Sequence, residues 1–377
     1  MKTSLYNMEL DIEENPALQM EMDMPTFDPF RTPYELYEED FPNMGSRVEQ
    51  LTFLVRYAVL APSGHNTQPW KFAVTEEGIA VFADYTRRLP VADPDNRELQ
   101  MSIGAAVMNL RVAAQHFGFV CRVDYNHSND SELPVARVLL SRQGTGSVVP
   151  AEKESLFPAI LKRRTNRNPF LYARIPNRVV SALRSAVDGS SVSAWLSTDP
   201  LLNQHVADLV AEAHRVQQGD VQFRKELAEW VRPNFTKKGD GIPGASIGLG
   251  NVASAIGPLA TRMFDMGRKT GNRDQALCRE APLLVVLHGE DTVPQWLEIG
   301  EMLERLLLTV TREGLNFSFF NMPIEVPALR AELRGLLDIA SWPQLIVRIG
   351  YCLKEVPPTP RRPLEDVLIA THDIDIH

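Results

Sequence analysis

Four short segments carry the residue types that could do chemistry. The first is Ala61-Pro62-Ser63-Gly64-His65-Asn66-Thr67-Gln68-Pro69-Trp70. Ser63, Asn66 and Gln68 offer donors and acceptors beside backbone amides, a set suited to reading the edge of a flat heteroaromatic ring. The second is Arg163-Arg164-Thr165-Asn166-Arg167-Asn168-Pro169-Phe170. Three guanidinium groups around the Thr165 hydroxyl make a natural phosphate cradle, because charge-assisted hydrogen bonds are the strong ones. The third, Asn321-Met322-Pro323-Ile324-Glu325-Val326, holds a single carboxylate. The fourth comprises Arg348-Ile349-Gly350-Tyr351 and then Pro357-Pro358-Thr359-Pro360-Arg361-Arg362-Pro363-Leu364. Prolines around Arg361 and Arg362 present that basic pair at little entropic cost. Each segment alone also admits a plainer reading. These are a Ser/Gly/Asn turn before a strand, a solvated basic turn, a surface or capping carboxylate, and an exposed Pro-rich tail.

Apolar spacing supplies the elements that must position these segments. Val48, Leu51, Leu54, Val55 and Val59 recur at helical spacing, so a helix over about 47–60 delivers the first segment, and strands at 70–74 and 78–84 follow it. Residues 97–117 form a long helix, apolar around most of its circumference, that belongs in a core or an interface. Gly118 stops it, 134–140 reads as a strand, and 141–150 is a Gly/Ser-rich link. Helices near 153–162 and 177–187 and a strand at 192–196 open the second half. A mostly helical insertion covers about 200–279, irregular over 232–250. A strand at 282–287, a long buried helix at 296–312 and a strand at 344–350 complete the pattern. The two long helices repeat. Ile103-Gly104, Leu110 and Gly118 recur as Ile299-Gly300, Leu306 and Gly314, at a constant offset of 196 residues. Gly104 and Gly300 in mid-helix predict that the two helices cross closely.

The first segment resembles the APSxxNxQPW signature that follows the first core helix of flavin mononucleotide (FMN)-dependent nitroreductases. It agrees at Ala61, Pro62, Ser63, Asn66, Gln68, Pro69 and Trp70. The resemblance makes Pro62, Ser63, Gly64, Asn66 and Gln68 flavin contacts. The second segment is similar to the RRSxRxF element of that family. By that match Arg163, Arg164 and Thr165 face the phosphate and Arg167 lies near the flavin N1–O2 edge, where a fixed cation stabilises the charge of two-electron reduction. Pro323, Ile324 and Glu325 resemble the PIEG-type loop beside flavin N5, with Val326 in place of the usual glycine. Arg361 and Arg362 correspond to the C-terminal basic element over the phosphate.

In the usual homodimer each flavin takes APSxxN from one subunit and RRSxR from the other. Here the first motif occurs only in the first half and the others only in the second. The chain therefore resembles the fused, lid-bearing Acg-like branch over roughly 47–370, as do 223–230, Asn234 and Asp240-Gly241-Ile242 in the insertion. The fold implied is α+β and nitroreductase-like: an acidic arm (1–46), a first half (47–150) and a second half (151–377) with a helical lid at about 200–279. One FMN per chain is implied, with the second pseudo-symmetric site empty.

Composition bounds the function. Residues 1–50 hold 12 Asp and Glu against 3 Lys and Arg, a balance of −9, while the remaining chain holds 36 of each sign. No excess cation awaits a nucleic-acid backbone or an anionic membrane. No apolar run reaches 18 residues, the start of the chain is acidic, and Cys121, Cys278 and Cys352 lie far apart. The expectation is a cytoplasmic protein acting on a small molecule, with neither nucleic-acid nor membrane partners. It is a monomer through its internal pseudo-dimer, with a further homodimer through the arm as an open alternative. Phe27, Phe30, Tyr34, Tyr37 and Phe41 favour wrapping of that arm over free disorder.

Gly248-Leu249-Gly250-Asn251-Val252-Ala253 follows no strand and is set aside as a dinucleotide site, and eight scattered histidines show no metal-ligand spacing. The activity implied is hydride transfer from NAD(P)H through FMN to a nitro, quinone or ene-type acceptor, with no protein acid or base assigned. The rival is an FMN-binding or sequestering protein without turnover, its lid packed over the flavin. A specialised flavin oxidase or dehydrogenase is a third reading.

Overall fold

The computed structural model of the protein describes residues 32–126, 132–142 and 155–370. Phe27 and Phe30 of the arm, residues 143–150 of the link and Lys153 lie outside the described residues. Helix α1 (Arg47–Ala58) starts with a capping box, in which Ser46 and Glu49 each bond the other's backbone N–H. It leads through the loop at 59–69 into β1 (Trp70–Val74), β2 (Gly78–Ala83), α2 (Arg97–His116), β3 (Phe119–Tyr125) and β4 (Ala136–Arg142). Helices α3 (Phe157–Lys162) and α4 (Asn177–Ser185) then precede β5 (Ser193–Ser197).

The insertion follows: α5 (Pro200–Gly219), α6 (Val221–Trp230), the two-residue strands β6 (Val231–Arg232) and β7 (Ile242–Pro243), α7 (Asn251–Met263) and α8 (Gly267–Arg279). The chain returns to β8 (Leu283–Gly289), α9 (Val293–Arg312), β9 (Asn316–Phe319), α10 (Met322–Glu325), α11 (Pro327–Leu336) and β10 (Trp342–Gly350). No described helix is long and apolar enough to cross a membrane.

The fold is α+β, and its two sheets share one topology. The first runs β1-β2-β4-β3 and the second β5-β8-β10-β9, every neighbouring pair antiparallel. In both, a 20-residue helix joins the second strand to the third. The halves differ at the first connection. A turn at 75–77 joins β1 to β2, whereas residues 198–282 separate β5 from β8. The insertion thus occupies the place of a tight turn.

Spacing alone missed β3. Its Phe119 is buried while Val120 is half exposed, and Arg122 and Asp124 hold each other on its outer face, so the strand sits at a sheet edge with little apolar signal.

Helices α2 and α9 cross as their glycines predict. A Cβ on Gly104 would lie 2.0 Å from the Leu297 carbonyl oxygen, and one on Gly300 would lie 2.0 Å from that of Met101. Met101 and Leu297 are themselves 196 apart, so the contact is reciprocal about a pseudo-two-fold axis. Both helices end on a glycine in the left-handed region, Gly118 at φ +76° and Gly314 at φ +72°. Each helix also enters the other half's core: Leu297 and Leu308 join the first, and Met101 and Met108 the second. Part of the arm lies on this body, with Leu36 and Phe41 buried and the Phe41 ring stacked 4.4 Å from that of Phe117.

This crossing yields a stability test. Gly104→Ala and Gly300→Ala should each cost about 1–3 kcal/mol through overpacking, seen as a lower Tm in thermal unfolding. Gly335→Ala on α11, where a Cβ meets nothing within 4 Å, should instead stabilise by about 0.4–1 kcal/mol. Equal effects at all three positions would refute close helix contact.

Candidate functional site

The loop after α1 is held in an unusual conformation. His65, Asn66 and Gln68 have φ of 47°, 56° and 52°, a region non-glycine residues adopt mainly where surrounding contacts enforce it. Ser63 Oγ accepts from the Gln68 N–H (2.9 Å), closing the turn from inside. Asn66 Nδ2 donates to the carbonyls of Gly241 and Pro360, both at 3.0 Å, and Gln68 Nε2 donates to Gly239 O at 2.7 Å. These side chains therefore clamp the insertion and the C-terminal segment onto the loop.

The basic segment lies alongside the second sheet. The Asn166 N–H donates to Phe317 O at 2.8 Å, and the buried Asn166 amide donates to Asn316 Oδ1 and Lys354 O. Arg348, fully buried, supports the segment from below by donating to Asn168 O (2.9 Å), with its guanidinium 4.0 Å from the Phe170 ring centre. With Asn166 turned inward, Arg163, Thr165 and Arg167 line a cavity of about 570 Å³. That volume falls in the range of roughly 300–1,000 Å³ common to small-molecule and cofactor sites.

The cavity gathers most of the residues expected from sequence, but not all. Pro62, Ser63, Gly64, Asn66, Arg163, Arg164, Thr165, Arg167, Glu325 and Arg361 line it. Gln68, Pro323, Ile324 and Arg362 do not. Gln68 is buried between Gly239 and the Arg362 N–H. Ile324 packs in the core beneath the second sheet. The Arg362 guanidinium donates to the Gln68 and Asp366 carbonyls and lies 3.5 Å from Asp84.

The basic end holds more positive charge than its carboxylates neutralise. Arg163 Nη2 donates to Leu60 O at 2.8 Å, and its Nε lies 3.2 Å from the fully buried Glu304. Arg361 donates to the Leu60, Ala61 and Pro360 carbonyls and to Asn66 Oδ1, and its buried Nε has no partner among the described residues. Arg164 donates to the Arg163 carbonyl and stands 4.4 Å from the Tyr34 ring centre. Among the described residues no acceptor hydrogen-bonds the Arg167 guanidinium, and the carboxylate whose charge reaches it, Asp274, is already paired with His214. Burial lowers Arg361 to about 10 and lowers Arg164 and Arg167, yet an arginine at about 10 is still charged at neutral pH. Burial also raises Glu304, to about 7, so it neutralises Arg163 only in part there. The donors and charge of this end suit an anionic ligand.

Another part of the wall is acidic, and motif matching missed most of it. Glu98 in the first turn of α2 faces the cavity with Glu325, and a Cβ on Gly64 would lie 3.3 Å from Glu98 Oε2. Burial, then the charge of Glu325, pushes Glu98 up to about 8, and burial raises Glu325 as well. His214 on α5 pairs with Asp274 on α8 at 2.9 Å, both in the wall. Burial, then Arg167, lowers His65 to about 4, so its ring is neutral. Met101, Ser102, Leu303 and Phe319 supply the intervening surface. The repeat marked the two central helices, but nothing in their spacing singled out Glu98.

The insertion forms the roof. Gly241, Ile242, Pro243 and Ala245–Gly248 line the cavity. Asp240 fixes this segment, held by Arg87 at 2.5 Å and by Arg232 at 2.9 Å, with Trp230 beneath both guanidinium groups. A Cβ on Gly239 would lie 2.4 Å from Arg361 O, so the roof meets the C-terminal segment backbone to backbone.

Comparison with known proteins follows this geometry. No family model matches the chain. It is 30% identical over 319 residues to a Mycobacterium tuberculosis protein provisionally named NAD(P)H nitroreductase acg, covering 83% of this chain and 93% of that one. A second protein of that organism, likewise provisionally named an NAD(P)H nitroreductase, is 28% identical over 332 residues, covering 85% and 91%. Among solved structures, the FMN- and NADPH-dependent nitroreductase NfnB of a Sphigopyxis strain aligns at 21% identity with a TM-score of 0.39, over 56% of this chain and 97% of that one. With identity at that level across nearly the whole of its relative, the chain belongs to the Acg-like branch of the nitroreductase superfamily.

Proposed function

We propose that the protein binds one FMN in this cavity and uses it as an oxidoreductase between NAD(P)H and a nitro, quinone or ene-type acceptor. The observation that carries the reading is the crowded cationic end, where, among the described residues, the Arg167 guanidinium has no hydrogen-bond acceptor and Arg164 no carboxylate partner. The mycobacterial relatives, provisionally named NAD(P)H nitroreductases, support it.

The chain's own contributions follow from its geometry. Arg163, Arg164, Thr165 and Arg361 would hold the phosphate, and Ser63, Gly64 and Asn66 would border the ring. Bound FMN would supply two-electron chemistry, taking hydride from the nicotinamide and passing it to the acceptor. Arg167 would offset the negative charge that reduction adds, in a chamber whose roof limits water. Because both halves contribute walls, the site would need no second subunit.

The sequestering alternative has its own observation. Gly239, Asp240 and Gly241 are each tied down, to Gln68, to Arg87 and Arg232, and to Asn66. A roof so anchored resists entry of a nicotinamide. Steady NAD(P)H consumption with a nitroaromatic or quinone supports the oxidoreductase, whereas reduction by dithionite alone supports sequestration. Asp240→Ala should loosen the roof, speeding nicotinamide-driven flavin reduction several-fold in stopped flow and raising hydrogen exchange at 239–241. An unchanged exchange pattern would show that Asp240 is no latch.

Arg167→Ala should weaken FMN binding about 10- to 100-fold in fluorescence titration, corresponding to roughly 1.5–3 kcal/mol for a lost charged hydrogen bond, with Tm little changed. Unaltered affinity would place the anion elsewhere. Arg163→Ala is the less direct probe, because it also strands the buried Glu304.

A further inference from the structure

The acidic wall gathers more carboxylates than it can keep ionised. Glu98 and Glu325 face the cavity, and Asp93 lies behind them, accepting from the Leu99 N–H at 2.9 Å. The cation facing this group is Arg97. Its Nη1 is already committed to the Gln344 carbonyl at 2.5 Å and its Nη2 lies 3.1 Å from Glu98 Oε1. From α5, Gln217 donates to Glu325 Oε2 at 2.5 Å, and His214 stands near with its own partner Asp274. From the loop after α1, Gly64 abuts Glu98, and the buried His65 Nδ1 has no partner among the described residues. Three carboxylates close to one guanidinium in a partly dry chamber repel one another, which favours protonation of one of them.

We propose that Glu98 and Glu325 hold one proton between them and that Glu98 donates it to the acceptor as the acceptor takes hydride. This inference rests on the oxidoreductase reading above and supplies the acid which that reading lacks. The stoichiometry closes for nitro and quinone acceptors. A nitro group takes hydride from the reduced cofactor and one proton from Glu98, an N–O bond breaks, and a nitroso product and water leave. A quinone takes the same hydride and proton and becomes the hydroquinone. Glu98 is left as a carboxylate beside Glu325 and regains its proton from solvent.

The direction of titration supports the assignment. Burial and the neighbouring Glu325 raise Glu98 to about 8, so the acid form persists through neutral pH and is lost above it. General acids of this kind are typically worth about 100- to 10,000-fold in rate.

The test uses the FMN-loaded protein. It is reduced with NAD(P)H or dithionite and mixed with benzoquinone in stopped flow between pH 6 and 9.5. Wild-type reoxidation should fall above about pH 8. Glu98→Gln should be about 100-fold slower and flat with pH, and Glu325→Gln should keep the fall but shift it to lower pH. Infrared difference spectra of wild type minus Glu98→Gln at pH 7 should show a protonated-carboxyl band that titrates away above about pH 8, distinct from the Glu304 band that both proteins share. FMN content separates the two levels of the argument. A protein that rejects FMN overturns both the cofactor reading and this one. A loaded protein with pH-independent reoxidation, or without the carboxyl band, overturns the shared proton alone. Should Glu98→Gln lose its flavin, the Glu325→Gln shift decides: an unmoved pH limb refutes the pair.

Discussion

The rest of the structure depends on one close approach, that of Gly104 on α2 to Gly300 on α9. At each glycine the opposing backbone carbonyl stands where a Cβ would be. The contact is self-complementary, like that of a two-fold dimer, although both surfaces belong to one chain. It merges the two cores, because each helix lends side chains to the other's cluster. It also sets the site. The first turn of α2 brings Glu98 to one wall, while α9 brings Leu303 and Glu304 to the neighbourhood of the arginines. Neither half alone encloses the cavity.

The halves share a topology and differ in decoration. Where one has a three-residue turn, the other has the insertion that roofs the cavity. The clamping residues Asn66 and Gln68 tie that roof to a loop of unfavourable backbone conformation. Their amides hold the chain together around the cavity, which Asn66 also lines. Charge is just as unequally distributed. Cations crowd the end near residues 163–167 and 361, and carboxylates the end near residues 98 and 325. Such separation in a partly dry chamber is expensive in an isolated fold and is typical of sites that stabilise charge during a reaction.

Much of this was legible in the sequence because it depended on local residue types. The constant offset of Ile-Gly, Leu and Gly marked the paired helices, since only glycine permits such an approach and only glycine ends both helices with positive φ. The Pro-Ser-Gly loop and the arginine run were visible because few other uses call for that density of donors. Three features were not legible. Strand β3 is an edge strand whose alternation is blurred by Arg122 and Asp124. Glu98 in the first turn of a helix looks like any carboxylate placed against the helix dipole, and only the fold shows it facing Glu325. The diversion of Gln68 and Arg362 to structural contacts depends on where the insertion and C-terminal segment lie. Motif matching sees neither.

The central claim is that two fused halves build a single flavin site. Calorimetric titration of FMN into stripped protein measures it most directly, because it counts sites without assuming an activity. The account predicts one FMN per chain, with an affinity that falls as salt screens the phosphate contacts. Two equivalent sites per chain, or no saturable binding, would contradict it.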